Sequence, residues 1–133
     1  MKKRVWMFVI FSFLLLFAMS YIPHKLFNLS PTKVSKITVF NGTNGEEIEI
    51  DNPIQIESII TNLNDVTFQK GKPSIGYLGY TFQVTIYDQK ENVKEKFIIN
   101  SSQMLRYKGF FYHTSDRPID YEYINKLFKK DVE

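Results

Sequence analysis

The sequence predicts an α+β fold: a mostly antiparallel sheet with two amphipathic helices on one face, preceded by an N-terminal transmembrane helix. Three observations predict it. Apolar and polar residues alternate through several stretches joined by short turn-rich segments, the pattern of strands linked by hairpins. Two other stretches carry apolar residues at helical spacing: Ile56, Ile59, Ile60 and Leu63, then Ile124, Leu127 and Phe128. A short basic N-terminus, residues 1–4, precedes an uncharged apolar run, residues 5–22. Hairpins pair antiparallel, and two one-sided helices can cover one face of such a sheet.

The apolar run comes first. Its eighteen residues carry no charge. As a helix at ~1.5 Å per residue it would be about 27 Å long, close to the ~30 Å hydrocarbon core of a bilayer. Lys2, Lys3 and Arg4 before it are expected to stay in the cytoplasm, which places the C-terminal body outside. The expected location is therefore the cell membrane, single-pass, with an extracellular domain. Ala18 and Ser20 also have the small-residue spacing of a signal-peptidase site, so cleavage after Ser20, giving a secreted protein, is the alternative. Pro23 ends the helical run, and residues 23–33 read as a linker to an extracytoplasmic domain over residues 34–133.

Within that domain, residues 36–40 and 47–50 alternate about the turn cluster Asn41-Gly42-Thr43-Asn44-Gly45 and read as a hairpin. A helix follows. Asp51 or Asn52 can cap it, Pro53 suits its first position, and Gln55 can close a capping-box-like loop with Asn52. Residues 66–70 form a short strand, residues 71–79 a loop, and residues 80–87 a half-buried strand in which Tyr80, Phe82, Val84 and Ile86 alternate with Thr81, Gln83, Thr85 and Tyr87. Residues 93–99 form the next strand. Residues 104–107 and 110–112 flank Lys108-Gly109, a two-residue hairpin turn. The last helix runs from Tyr121 to Lys130, with Asp120 as its cap and Ile119 and Ile124 placed as a hydrophobic staple. Lys126, Lys129 and Lys130 sit where the helix dipole favours cations.

Charge narrows the function classes. The 133 residues carry a formal net charge of +3. Beyond residue 20, fourteen Lys and Arg balance fourteen Asp and Glu. The excess is an N-terminal feature, which argues against a nucleic-acid-binding body. With no cysteine, the chain has no disulfide, thiolate metal site or cysteine nucleophile. Lys outnumbers Arg 14 to 3, and residues with AT-rich codons abound, as in low-GC bacteria.

Motifs of catalysis are not found. The two histidines, His24 and His113, form no HExxH pair, and no metal site is expected. Glu46, Glu47, Glu49 and Asp51 lack calcium-loop spacing and read as a solvated strand face. Ser30-Pro31-Thr32-Lys33 matches S-x-x-K but lies in the expected linker, without the companion motifs of penicillin-binding proteins. There is no P-loop around Gly71-Lys72 and no G-x-S-x-G. No cofactor is expected. Two surface features remain as partner contacts. One is Ile75, Tyr77 and Leu78 in a glycine-flanked loop; the other is Arg106, Tyr107, Phe110, Phe111 and Tyr112, aromatic residues with a cation.

Ser35-Lys36-Ile37-Thr38-Val39, the Ile48/Ile50 strand, the helix over residues 54–63, the strand over residues 80–87 and Ile119-Asp120-Tyr121-Glu122 together resemble small extracytoplasmic domains of unassigned activity. Such domains are carried by membrane-anchored proteins of low-GC Gram-positive bacteria. The resemblance covers most of residues 34–130 and implies no catalytic residues. The expected function is a membrane-tethered extracytoplasmic binding or accessory domain of the cell envelope, non-enzymatic and protein-binding. Its partners would be the membrane, through residues 5–22, and another envelope protein, with no nucleic acid. Two alternatives stand beside it. One is a small ligand- or lipid-binding module using Tyr77, Leu78 and residues 110–112. The other is an envelope enzyme built around His113 with Tyr112 and Asp116.

Overall fold

The computed structural model describes residues 1–130, so residues 131–133 of the expected domain lie outside the described residues. The alternating stretches become strands of one eight-stranded antiparallel sheet. These are β1 (His24–Lys25), β2 (Val34–Asn41), β3 (Glu47–Ile50), β4 (Thr67–Pro73), β5 (Phe82–Asp88), β6 (Val93–Ser101), β7 (Met104–Tyr107) and β8 (Phe110–Thr114). Their order across the sheet is β1-β4-β8-β7-β6-β5-β2-β3. The helices are α1 (Lys2–Met19), α2 (Pro53–Asp65) and α3 (Tyr121–Lys130).

The N-terminal helix corrects the expectation of a transmembrane span. Helix α1 has 18 residues, but Lys2, Lys3 and Arg4 are among them, leaving fifteen uncharged ones. At ~1.5 Å per residue these reach about 22 Å, short of the ~30 Å hydrocarbon core. No helix among the described residues is long and apolar enough to cross a membrane. The run of residues 5–22 does not stay helical because tertiary contacts claim its end. The Gln69 side-chain amide donates to the Tyr21 carbonyl, and His24 and Lys25 pair with Phe68 and Thr67 of β4.

The expected linker is packed as well. Phe27 is 2% exposed, and its ring lies 4.9 Å from Phe97 and 5.4 Å from Tyr107. Leu29 is also buried, and Asn64 of α2 holds its backbone twice. Asn64 Oδ1 accepts from Leu29 N at 2.9 Å, and Asn64 Nδ2 donates to Leu29 O at 2.7 Å. Asn64→Ala removes both bonds and should lower stability by about 1–3 kcal/mol. The measurement is the midpoint of urea unfolding, and an unchanged midpoint would show that water replaces the amide at no cost.

Local chemistry explains the helix boundaries. Asn52 caps α2, its Oδ1 accepting from Ile54 N at 2.9 Å and Gln55 N at 3.3 Å, and Pro53 occupies the first turn. The stripe Ile56, Ile59, Ile60 and Leu63 is buried. The α3 stripe packs on β5, where the Phe82 and Phe128 rings stack at 5.4 Å. Both helices bury against the sheet face that carries Ile37, Val39, Phe68, Phe82, Val84, Ile86, Phe97, Ile99 and Leu105. Aromatic and branched side chains fill the space between the layers.

The Lys108-Gly109 turn forms as expected, with φ of 48° and 87°, the doubly positive pair of a two-residue hairpin. It sets the register Tyr107↔Phe110 and Arg106↔Phe111. Residues directly opposite one another share a face. Tyr107, Phe110, Leu105 and Tyr112 therefore look toward the helix layer, and Arg106, Phe111, Met104 and His113 look away from it.

Candidate functional site

The eight expected contact residues separate into two groups. Arg106, Tyr107, Phe111 and Tyr112 are buried, and Phe110 is half-buried. Tyr107 and Tyr112 belong to the core cluster. Tyr107 Oη donates to Glu95 Oε2 at 2.7 Å, and burial, reinforced by that carboxylate, pushes its hydroxyl well above the ordinary tyrosine range. Burial also raises Tyr112. Both stay neutral and serve packing. Ile75, Tyr77 and Leu78, by contrast, are 86%, 50% and 88% exposed.

The two groups are joined by Arg106, 8% exposed and aimed away from the helices. Arg106 Nη1 donates to Tyr77 O at 2.7 Å, Nη2 donates to Gly79 O, and Nε donates to Asn100 Oδ1 at 3.3 Å. Phe111 lies against the guanidinium, 5.6 Å from ring centroid to Cζ. A planar fork can hold two carbonyls at once, which an ammonium cannot do with the same geometry. The other end of the loop is fixed where Ser74 N donates to Gly109 O at 2.8 Å. The Tyr77 ring packs edge-on against Phe111 at 5.0 Å, and Lys72 Nζ donates to Tyr77 Oη at 2.8 Å. The loop is therefore clamped at both ends and by its tyrosine. The side chains left over, Ile75 and Leu78, project into solvent.

Beside this loop lies the open face of the sheet. Lys36, Thr38, Phe40, Gln83, Thr85 and Tyr87 alternate with the inward residues of β2 and β5, and all are half-buried. A shallow concavity of about 400 Å³ is lined there by Thr38, Phe40, Glu47, Tyr80, Gln83, Thr85 and Tyr87. Tyr80 reaches it because Gly42 has no side chain. A Cβ at Gly42 would stand 2.6 Å from Tyr80 O and 2.7 Å from the ring. Of the two glycines in the turn cluster, Gly45 takes positive φ (79°), whereas Gly42 is there for close approach.

The residues named for an enzymatic reading are not assembled. His113 is exposed, Tyr112 lies in the core cluster, and Asp116 Oδ1 accepts from Thr67 N at 2.8 Å. That backbone donor, with Arg117 also nearby, holds the Asp116 carboxyl below the usual carboxylate range. A depressed folded value means that Asp116 contributes stability above the unfolded titration near pH 4, and that this is lost as pH falls through the folded value. Asp116→Asn should flatten the acid limb of a stability–pH curve and leave its neutral region nearly unchanged in slope. Parallel acid limbs in the two proteins would refute this. Among the described residues no group of three His, Asp or Glu side chains could hold a metal ion.

No family model matches the sequence, and no curated protein or solved structure is similar to it.

Proposed function

We propose that the chain is an accessory domain of the bacterial cell envelope that works outside the cytoplasm and binds another envelope protein without catalysing a reaction. The observation that carries this reading is the one-sided sheet. Helices cover one face, and the other leaves a mixed aromatic and polar surface around Phe40, Tyr80, Gln83, Thr85 and Tyr87. Surfaces that combine aromatic rings with polar groups and few buried charges suit protein partners. The dispersal of His113, Tyr112 and Asp116 supports a binding role over the enzymatic alternative.

The N-terminal segment fits export. Its fifteen-residue uncharged helical stretch behind three cations falls within the length of a secretion-signal apolar core, and Ala18 and Ser20 close it. Membrane contact through residues 5–22 is part of the proposal in a form that needs no span. Intact mass of the protein from fractionated cells tells whether α1 is retained, since cleavage after Ser20 removes about twenty residues.

The test of the binding face uses a photo-crosslinking residue at Thr85 or Tyr87, with Glu57 on α2 as the control. The expected result is one discrete adduct from the open-face positions, competed by excess unlabelled protein and absent from Glu57. Equal labelling from both faces would overturn the assignment of the face.

A further inference from the structure

We infer that the end of the sheet bearing the clamped loop is a lipid-facing surface, with Ile75 and Leu78 dipping into an anionic bilayer interface and Lys72 and Lys108 lying at its headgroups. The inference rests on the envelope location proposed above but concerns a different part of the molecule from the protein-binding face.

Geometry places the loop and α1 at the same end. β1 runs antiparallel to β4, so the chain traced back from His24 toward Ser20 follows β4 toward Pro73, where the loop begins. Lys70 marks the meeting point. Its Nζ is 3.4 Å from Ser20 Oγ, 5.2 Å from the Tyr21 ring, 5.7 Å from the Phe17 ring and 3.9 Å from the Phe110 ring. Phe110 adjoins the Lys108-Gly109 turn, and that turn holds Ser74 at the start of the loop. The apolar helix, the apolar loop tip and the β7–β8 turn thus leave the body together.

Charge makes the same end complementary to an anionic surface. No Asp or Glu occurs in β4, β7, β8 or the clamped loop up to residue 80, while Lys70, Lys72, Arg106 and Lys108 all lie there; the carboxylates of this end, Asp88, Glu91 and Glu95, belong to β5, β6 and the turn between them. Among the described residues the salt bridges involve only Arg117, Asp65 and Asp116, away from this end. Lysines with long apolar stems, a tyrosine at mid-depth and two aliphatic tips match the layering of a bilayer interface, where cations meet phosphates and aromatic rings sit at the headgroup level. A protein pocket could also take two aliphatic side chains. Colocation with α1 and the cluster of Lys70, Lys72 and Lys108 favour lipid, because neither feature is needed for a protein contact; the acidic groups of this end, Glu95 on Tyr107 and Asp88 and Glu91 in the β5–β6 turn, lie across β7 from Lys72.

The experiment uses the full chain, which contains one tryptophan, Trp6 in α1. In a Trp6→Phe background, Leu78→Trp moves the fluorophore to the loop, at a site exposed enough to leave the fold unaltered. Emission is read with vesicles of phosphatidylcholine alone and of phosphatidylcholine with phosphatidylglycerol. The expected result is a blue shift, with quenching by brominated acyl chains, that is stronger in anionic vesicles. Adding Lys72→Gln and Lys108→Gln should weaken the apparent affinity of that response about tenfold or more. The wild-type Trp6, read in parallel, reports α1. A Trp6 response with an unmoved loop probe overturns the inference and leaves the membrane contact of α1 intact. No response from either removes both. An equal loop response in neutral and anionic vesicles, or one seen only when an envelope protein is added, overturns the anionic-lipid assignment.

Discussion

Phe27→Ala is expected to lower stability by about 3–5 kcal/mol, the range for truncating a buried phenylalanine. Natural domains hold only about 5–15 kcal/mol in total, so the change removes a large share. The reason is geometric. Phe27 is 2% exposed and fills the space between Phe68, Phe97 and Tyr107. Equilibrium urea unfolding is the measurement. A loss under about 0.5 kcal/mol, the scale of an ordinary surface substitution, would mean that residues 23–33 are a linker after all. Ile22→Ala, at an exposed neighbour, serves as the matched control.

The second large effect is expected at Arg106. Arg106→Ala removes the donors that hold Tyr77 O, Gly79 O and Asn100 Oδ1. Hydrogen bonds from a charged donor contribute roughly 1.5–3 kcal/mol each, but the loop carbonyls can turn to water. A net loss of about 1.5–3 kcal/mol follows if one such bond survives the discount. The more specific readout is local. Chymotrypsin should cut after Tyr77 or Leu78 in Arg106→Ala under conditions where the wild type resists. Arg106→Lys should not restore protection, because a single ammonium cannot fork onto two carbonyls. A loop equally resistant in all three proteins would show that Tyr77, Phe111 and Lys72 hold it without the arginine.

Much of the fold is legible because its signals are local. The alternation of β5, the Asn52-Pro53 start of α2, the Lys108-Gly109 turn and the apolar stripes of both C-terminal helices each lie within a dozen residues. What is illegible is long-range. Phe27 and Leu29 sit in a stretch with no period, and nothing near them in sequence announces the Asn64 amide that receives Leu29. The length of α1 is illegible for the same reason: the uncharged apolar run extends to Ile22, but contacts from Gln69 and β4 end the helix at Met19. The site was half legible. A two-residue turn at Lys108-Gly109 forces Arg106 opposite Phe111 on the face away from Tyr107, and alternation alone could have separated them. That Arg106 would find Tyr77 and Gly79, more than twenty-five residues earlier, could not be read from either segment.

The strand order has a consequence for how the chain can fold as it emerges. β5, β6, β7 and β8 form a meander whose neighbours in sequence are neighbours in space. The earlier strands flank it: the β2–β3 hairpin joins at β5, and β4 joins at β8. When the N-terminal half leaves the ribosome first, it has only the β2–β3 hairpin and the two-residue β1–β4 pairing to form, and such small pairings are marginal alone. β4 has no hydrogen-bonding partner in the sheet's middle until Phe110–Thr114 is available. Closure of the sheet is therefore deferred to nearly the last residues made, and loop-closure entropy makes those late pairings the slow ones. A chain built this way stays largely unpaired for most of its synthesis and closes its sheet only near the end.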